Sequence, residues 1–458
     1  MQKTDVLIIG SSAGGMVVAG LGKRINPDKK FTVITKNEKT LVPCGIPYVF
    51  GTVGTTDKNI IPIEQSFAKK GIELIYDEVI QIDREHKEVL LKSGKIMAYE
   101  KLALATGSNP YEPIWLPGHD LENVYYIPKD KVYLDEAQKK IGKAKKVIVI
   151  GAGFIGVEMS HEIHKLGKEV HLLEKLPNIL SLAFDPDLSD RIEALLLADG
   201  VKVQTGVTVK SIFGKDKAEG VLLDDGTRME ADAIILSMGY RPNSALAVKA
   251  GLPVNDKGFI IVDEYMRTTD SNIFAVGDCA EKKQFITGKS VPIMLASTAC
   301  AEARLAALNL YGISAVKSFS GTISIFSSAI GSKGFGVAGL TEREANEIGM
   351  KYVTGIFEGM DRHPGCLPDS EKQFVKLIVA RDSGIIVGCE VAGGLSTGEV
   401  TNTIGIMIQN RMHICNLMKA QIGTHPLMTA SPAAYPLIQA AEDVVYKLRV
   451  ESRKKEVK

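Results

Sequence analysis

Apolar runs followed by glycine-rich turns and helix-like stretches recur along the first half of the chain. The run at residues 6–9 leads into a turn at 10–15, and the run at 147–150 leads into a turn at 151–156. A second apolar run follows each helix-like stretch, as a parallel sheet with crossover helices requires. The pattern therefore predicts two βαβ units and two nucleotide sites.

The pattern changes near residue 318. Short strand-like segments there alternate with helix-like segments such as 342–348 and 399–409, which predicts a separate α+β domain. The predicted fold is α/β, with two doubly wound, Rossmann-like nucleotide-binding domains and a C-terminal α+β domain. Residues 447–458 are rich in charge and are predicted to form a frayed tail. The predicted C-terminal strands are 321–326, 352–357, 374–379 and 385–391.

Composition narrows the functional classes. The chain has 458 residues, 45% hydrophobic and 24% charged, with a net charge of +1. This balance gives no reason to expect nucleic acid or an anionic membrane surface as a partner. Apolar runs such as 147–150 and 233–236 are far shorter than the roughly 20 residues of a membrane span. With no export signal recognised at the N-terminus, we expect a cytoplasmic protein.

The six cysteines form no CxxC pair and have no histidine nearby at metal-ligand spacing. We therefore expect neither a metal site nor a disulfide scaffold.

The second glycine turn, GAGFIG, is the stronger nucleotide motif. It follows an apolar run, opens a helix, and lies 18 residues before the acidic Glu174. Its glycines let the main chain approach a pyrophosphate at a helix N-terminus. Because Glu174 would bind both ribose hydroxyls and repel the 2′-phosphate of NADP, NADH is the expected nucleotide. The predicted binding residues here are Gly151, Gly153, Ile155, Gly156 and Glu174.

The first glycine turn departs from the usual pattern at two positions. Ser12 replaces the second glycine, and Thr35 stands where a ribose-binding acid is usual. Two downstream segments strengthen the prediction. In residues 269–278 an apolar run ends at Gly-Asp, and residues 104–110 read LATGSNP.

These segments, together with 239–243 (GYRPN), resemble the FAD- and NAD(P)H-dependent pyridine nucleotide–disulfide oxidoreductases, and the resemblance extends to about residue 445. It implies an FAD domain split between 1–113 and 248–317. It also implies an NAD domain at 114–247 and a dimerisation domain at 318–446, hence a homodimer.

The resemblance also assigns cofactor contacts to individual residues. It implies that Asp278 binds the flavin ribityl chain, that Thr106 and Gly107 lie near the flavin, and that Phe154 is an aromatic gate between flavin and nicotinamide. The other cofactor-binding residues that it implies are Gly10, Ser12, Ala13, Gly14, Gly15, Thr35, Lys36, Gly239 and Gly277.

Cys44 is the candidate redox group. It follows Pro43 and precedes an apolar helix-like run, so we expect main-chain N–H groups to lower the pKa of its thiol. Glutathione reductase and lipoamide dehydrogenase carry two cysteines five residues apart here, whereas no cysteine occurs between 45 and 278 in this chain. The chain therefore resembles the single-cysteine branch: coenzyme A-disulfide reductase, NADH-dependent persulfide or polysulfide reductase, NADH oxidase and NADH peroxidase.

Within that branch, residues 44–48 (CGIPY) are similar to the coenzyme A-disulfide and persulfide reductases. The peroxidase and oxidase members carry a histidine in the first glycine loop, where this chain has Ala13. Because that proton donor is missing, we expect reduction of a disulfide, persulfide or polysulfide, with coenzyme A as a candidate ligand. The alternatives are an NADH oxidase that reduces O₂ at the flavin and an electron-transfer reductase for a partner protein.

Five further residues carry paired interpretations. His425 is similar to the acid/base histidine of the two-cysteine relatives, or it is a structural histidine. Tyr48 donates to substrate or only packs, and Cys366 is a second redox group or a buried, inert thiol. Lys23 and Arg24 contact coenzyme A phosphates, or they only complement a helix dipole.

Overall fold

Residues 2–314 and 320–456 are described by a computed structural model of the chain, with side chains up to residue 450. The chain divides into two units by its internal contacts. The first unit consists of Met1–Leu173, Val207–Lys283 and Lys289–Gly321, and the second consists of Glu174–Gly206, Gln284–Gly288 and Thr322–Lys458.

Strands occur in both units. In chain order they are β1 Gln2–Ile9, β2 Phe31–Thr35, β3 Glu73–Tyr76, β4 Val79–Asp83, β5 Glu88–Leu91, β6 Ile96–Leu104, β7 Ser108–Pro110, β8 Val124–Tyr125, β9 Lys146–Ile150, β10 Glu169–Leu173, β11 Lys202–Gln204, β12 Val209–Gly214, β13 Ala218–Leu223, β14 Arg228–Glu230, β15 Ala233–Leu236, β16 Tyr240–Pro242, β17 Ile273–Ala275, β18 Lys282–Lys283, β19 Ser290–Val291, β20 Phe326–Ile330, β21 Lys333–Gly339, β22 Tyr352–Met360, β23 Lys372–Ala380 and β24 Ile386–Gly393.

Helices connect these strands. In chain order they are α1 Ala13–Ile25, α2 Ile46–Val49, α3 Ile63–Ala68, α4 Lys131–Ile141, α5 Phe154–His164, α6 Pro186–Asp199, α7 Ala245–Lys249, α8 Ala296–Leu308, α9 Glu342–Glu347, α10 Thr397–Gln409, α11 Ile414–Met418 and α12 Pro436–Glu456. Within the described ranges, none of them combines the length and apolar character needed to cross a bilayer.

The main sheet of the first unit has the order β3-β2-β1-β6-β5-β4, and β17 also pairs with β6. Strand β1 lies between β2 and β6 and is parallel to both. The chain therefore passes from β1 to β2 on one side and later adds β6 on the other side of β1. Alternate residues of β1 enter two cores, since Val6 and Ile8 pack on one face and Leu7 and Ile9 on the other. Both faces of the sheet are therefore covered.

A second parallel arrangement in the same unit has the order β10-β9-β15-β8. Strand β9 is flanked by β10 on one side and by β15 on the other. The carboxyl ends of β1 and β9 are thus both topological switch points, where open α/β sheets bind their ligands. The two predicted βαβ units are confirmed.

The second unit contains an antiparallel sheet of order β20-β21-β24-β23-β22, packed against α10 and α12. The predicted strand at 321–326 is wrong, because residues 321–325 contain only an isolated bridge at Thr322 and β20 begins at Phe326. The other predicted C-terminal strands and both predicted helices are confirmed within a few residues. Helix α12 continues to Glu456, so residues 447–456 of the predicted frayed tail are helical.

Residues 174–206, which the sequence analysis places in the NAD domain, group with the second unit. The side chain of Lys376 on β23, which is inaccessible to solvent, explains this grouping. Its Nζ lies 2.9 Å from Asp185, 2.8 Å from Asp187 and 2.6 Å from Glu390. These carboxylates lie close enough together to hold a metal ion, but the Lys376 ammonium lies among them.

Candidate active site

The first glycine turn lies at the carboxyl end of β1. Gly10 has a φ of +109°, which favours glycine, and Ser12 is the N-cap residue of α1. A Cβ on Gly15 would collide with the carbonyl oxygen of Gly10, so the first turn of the helix approaches the strand end closely. Ala13 and Gly14 complete this turn, and their main-chain N–H groups lie at the helix N-terminus, where anions bind.

The second glycine turn has the same construction. Gly151 has a φ of +98° at the end of β9, and a Cβ on Gly156 would collide with the carbonyl oxygen of Gly151. Gly153, the N-cap residue of α5, has open space where its Cβ would be. Phe154 and Ile155 begin the helix. The two predicted nucleotide turns therefore share one main-chain geometry.

Asp278 lies in a 3₁₀ turn, Gly277–Cys279, that follows β17. Its carboxylate accepts hydrogen bonds from Ser108 Oγ at 2.7 Å and from Lys129 Nζ at 2.8 Å. Burial raises the pKa of the Asp278 carboxyl, but the charge and hydrogen bond of Lys129 have a larger, opposite effect. The net pKa therefore lies below its usual value. Asp278 is therefore a partly buried and ionised carboxylate.

Two glycines with positive φ values lie in neighbouring segments. Gly107 and Gly239 have φ values of +71° and +95°, and both have open space where a Cβ would be. Strands β7 and β16 bring their segments together, and Thr106 Oγ1 donates to the carbonyl of Asn243 at 2.6 Å. Together with the two glycine turns, these positions leave the main chain open to a close ligand, which suits a dinucleotide cofactor such as FAD.

Thr35 ends β2 and is buried. Its Oγ1 accepts a hydrogen bond from Ser11 Oγ at 3.0 Å, and Ser11 also contacts Thr40 Oγ1 at 2.7 Å. The position that usually carries a ribose-binding acid is here part of a hydroxyl cluster. The next residue, Lys36, is exposed.

Cys44 is exposed within a 3₁₀ turn, Pro43–Gly45, that precedes α2. The expected lowering of its pKa is wrong. Protein atoms desolvate the thiol and raise its pKa, Glu158 and Asp278 raise it further, and Lys129 opposes them. Helix α2 has only four residues, so it offers little dipole to compensate for this negative surrounding.

Helix α5 carries two carboxylates that face the cysteine segment. Tyr48 Oη donates to Glu158 at 3.4 Å, and buried Glu162 accepts the N–H of Thr52 at 2.6 Å and its Oγ1 at 3.0 Å. These bonds connect the cysteine segment to the helix that opens at the second glycine turn. Tyr48 thus contacts a carboxylate whose charge acts on the Cys44 thiol.

Lys23 and Arg24 lie in the last turn of α1. Lys23 Nζ donates to the carbonyls of Pro27 at 2.7 Å and Lys29 at 2.8 Å. Its ammonium therefore serves main-chain carbonyls beyond the helix C-terminus, which favours the dipole interpretation for Lys23.

Three predicted residues belong to the second unit. The carboxylate of Glu174, directly after β10, accepts the N–H of Leu176 at 2.8 Å. His425 is exposed, and its Nδ1 accepts the N–H of Leu427 at 3.3 Å. Cys366 is exposed, so its interpretation as a buried thiol is wrong, whereas Cys279, which belongs to the first unit, is buried.

Lys129, Lys282 and Glu302 were not among the predicted site residues, and Glu158 was interpreted as structural. Lysine and glutamate are usually solvated, so their types alone give no signal. Glu158 had a weak signal, since it follows the second glycine turn by two residues. Nothing local marks the others.

Two glycine turns at switch points, an ionised aspartate and an exposed thiol define a two-nucleotide redox protein of the flavoprotein class. The profile of the pyridine nucleotide-disulphide oxidoreductases matches residues 4–303, and that of their dimerisation domain matches residues 327–434. The chain belongs to the pyridine nucleotide-disulphide oxidoreductase family, whose cofactors are FAD and NAD(P)H.

Relatives extend over nearly the whole chain. An NADH oxidase of Methanocaldococcus jannaschii is 32% identical and covers 96% of this chain and 99% of its own. A CoA-dependent NAD(P)H sulfur oxidoreductase of Pyrococcus abyssi is 32% identical, with 85% and 87% coverage. The structure of an NAD-dependent persulfide reductase from A. fulgidus has a TM-score of 0.89 at 28% identity and covers 98% of this chain and 84% of its own.

Proposed function

We propose that this chain uses NADH to reduce a disulfide, persulfide or polysulfide through Cys44, with coenzyme A as a candidate ligand. The observation that carries the proposal is the placement of an exposed thiol under the charges of Glu158 and Asp278. Glu158 follows the second glycine turn, and Asp278 belongs to the predicted flavin motif. The names of the Pyrococcus abyssi and A. fulgidus relatives support a sulfur substrate.

FAD, when bound, supplies two-electron transfer between NADH and sulfur. The FAD domain is proposed to be 1–113 and 248–317, the NAD domain 114–247 and the dimerisation domain 318–446. Asp278 would hold the ribityl chain, and Phe154 would separate the two cofactors. FAD would also contact Gly10, Ser12, Ala13, Gly14, Gly15, Thr35, Lys36, Thr106, Gly107, Gly239 and Gly277, and NADH would contact Gly151, Gly153, Ile155, Gly156 and Glu174.

The thiolate of Cys44 attacks one sulfur of the substrate, which breaks the S–S bond, forms a mixed disulfide and releases one thiol after protonation. The hydride of NADH and one further proton are then consumed as the mixed disulfide becomes a second thiol and free Cys44. Tyr48 and His425 are the proposed proton donors to the leaving sulfur. Since the pKa of Cys44 is raised, the attack should accelerate with rising pH.

NADH oxidase activity is the second candidate, because the Methanocaldococcus jannaschii relative carries that name. Ala13 argues against it, since it supplies no proton donor beside the thiol. We propose a homodimer, supported by the match to the dimerisation domain. A cytoplasmic location fits the six free cysteines, because thiols persist in a reducing compartment.

Replacing Cys44 tests the proposal. Cys44→Ser should abolish NADH consumption with coenzyme A disulfide or polysulfide, while FAD stays bound and is still reduced by NADH. Cys366→Ser is the matched control, because Cys366 is the other exposed cysteine and has no part in the proposed mechanism, so this variant should keep full turnover. Disulfide turnover retained by Cys44→Ser refutes the thiol mechanism.

Two measurements separate the candidate activities. At equal NADH, turnover with coenzyme A disulfide or polysulfide should exceed turnover with O₂, and the reverse order would establish the oxidase. Mass spectrometry of the intact, non-reduced protein should show coenzyme A or one extra sulfur on Cys44. An added oxygen atom would instead indicate peroxide or oxygen chemistry at the thiol.

A further inference from the structure

A lysine and a glutamate, both inaccessible to solvent, lie beneath the turn that carries Asp278. Lys282 Nζ donates to the carbonyls of Gly277 at 2.5 Å and Ala280 at 2.9 Å, and it lies 3.7 Å from a carboxylate oxygen of Glu302. Desolvating two charges is costly, and only good geometry compensates for it. The hydrogen bonds around Lys282 and Glu302 must therefore explain why this pair is buried.

Both side chains of the pair form a hydrogen bond with the main chain of Gly277. Glu302 Oε2 on α8 accepts the N–H of Gly277 at 2.7 Å, while Lys282 holds the carbonyl of the same residue. Gly277 has a φ of +77°, a conformation that side-chain-bearing residues avoid. Both polar main-chain groups of a residue in an unusual conformation are thus fixed by buried charged side chains.

Asp278 follows Gly277 directly and is fixed from another direction. Its carboxylate contacts Lys129 and Ser108, and its pKa lies below the usual value. The carboxylate position therefore depends on two sets of contacts, one to its own side chain and one to the preceding peptide. Only the second set involves Lys282 and Glu302.

We propose that Lys282 and Glu302 are a positioning pair that orients the Gly277–Asp278 peptide for FAD, so that FAD affinity depends on residues that do not contact the cofactor. The inference rests on the proposed role of Asp278 in FAD binding. Glu302 acts through its hydrogen bond to Gly277, and Lys282 places its ammonium beside that carboxylate and holds the adjoining carbonyl.

The test compares two replacements of Glu302 in the full-length protein. Glu302→Gln keeps an acceptor for the Gly277 N–H, whereas Glu302→Leu has a similar size and no acceptor. FAD dissociation constants are measured on the apoprotein at pH 8, because burial raises the pKa of Glu302 to about 7 and the carboxylate must be ionised in the parent. We expect about tenfold weaker FAD binding for Glu302→Leu and a change below about threefold for Glu302→Gln.

Glu390 provides the matched control. It is also buried beside a buried lysine, and its pKa is likewise raised to about 7, but it belongs to the second unit. Glu390→Leu should lower stability and leave FAD affinity unchanged. Equal FAD affinity in Glu302→Leu and the parent, or an equal loss in Glu390→Leu, would overturn the inference.

Two further variants complete the design. If Glu302→Leu does not fold, Lys282→Met decides, since it removes the donor to the Gly277 carbonyl and should weaken FAD binding about tenfold. Asp278→Asn separates this inference from the proposed function. Unchanged FAD affinity in Asp278→Asn contradicts the assigned FAD site, whereas weaker binding there with no effect at Lys282 and Glu302 contradicts only the positioning pair.

Discussion

Removing the buried ammonium of Lys376 should destabilise the second unit strongly. Lys376 has no solvent-accessible side-chain surface, and four carboxylates lie within 3.3 Å of its Nζ. In Lys376→Met the methionine fills a similar volume but leaves those carboxylates without their cation. The perturbation is therefore electrostatic, because little packing is lost.

The magnitude follows from which carboxylates are buried. The side chains of Asp187 and Glu342 are about two-fifths and one-third exposed, so water screens the loss of their partner. Asp185 and Glu390 are buried and cannot be resolvated in place. Removing one partner of a buried pair costs about 3–5 kcal/mol. Since Asp185 keeps hydrogen bonds from two main-chain N–H groups, we expect about 3 kcal/mol.

The effect should depend on pH. Burial raises the pKa of Glu390 from 4.5 to about 7. Between these pH values the folded protein keeps the Glu390 proton and the unfolded chain has lost it. The free energy of unfolding therefore falls as pH rises from 4.5 to about 7. Without Lys376, Glu390 and Asp185 should take up protons at still higher pH. The loss of stability should therefore be larger at pH 8 than at pH 5.5.

The assay is urea unfolding of the holoenzyme, followed by far-UV circular dichroism at both pH values. Lys372→Met is the matched control on the same strand, because its side chain is 75% exposed and its carboxylate partner lies 3.9 Å away. That control should change stability by about 0.5 kcal/mol or less. A loss below about 1 kcal/mol in Lys376→Met, or equal losses in both variants, would refute the reasoning.

Two further predictions concern the site. Glu158→Gln should lower the pKa of the Cys44 thiol and speed its alkylation at pH 8, measured by mass spectrometry, and an unchanged or slower rate would contradict the electrostatic account. Gly156→Ala should cost about 1–3 kcal/mol in urea unfolding, because its Cβ would strike the Gly151 carbonyl. Gly153→Ala should keep its stability, because the Cβ meets open space, but calorimetry should show weaker NADH binding. Equal losses of stability in Gly153→Ala and Gly156→Ala would be inconsistent with this geometry.

The two nucleotide turns could be predicted from the sequence because their signal is local. An apolar strand, a glycine at its end and a helix immediately after it occupy 24 consecutive residues at the first turn, 2–25, and 19 at the second, 146–164. Gly10 and Gly151 have the positive φ values that such a turn needs. The C-terminal strands were also predictable, since apolar runs mark β23 and β24, whereas the start of β20 depends on pairing with β21.

The direction of the Cys44 pKa shift could not be predicted, because it depends on distant residues. The local sequence supplies Pro43 and a short helix, both of which suggest stabilisation of a thiolate. Partial desolvation of the thiol by protein atoms, which only the folded chain determines, has the opposite effect, and Glu158 adds negative charge from 114 positions away. Where desolvation and long-range charges together exceed the effect of a local helix dipole, the local sequence predicts the wrong direction of a pKa shift.

The buried lysines show the same limit in a stronger form. Lys376 and its partner Asp185 are 191 residues apart, and a lysine is almost never buried unless it is paired. A sequence can therefore predict such a lysine only after the topology is known, since the partners that make its burial tolerable come from other strands and helices. This dependence makes each buried lysine a marker of a fixed contact: Lys376 fixes residues 185–187 to the C-terminal sheet, and Lys282 fixes the turn before Asp278.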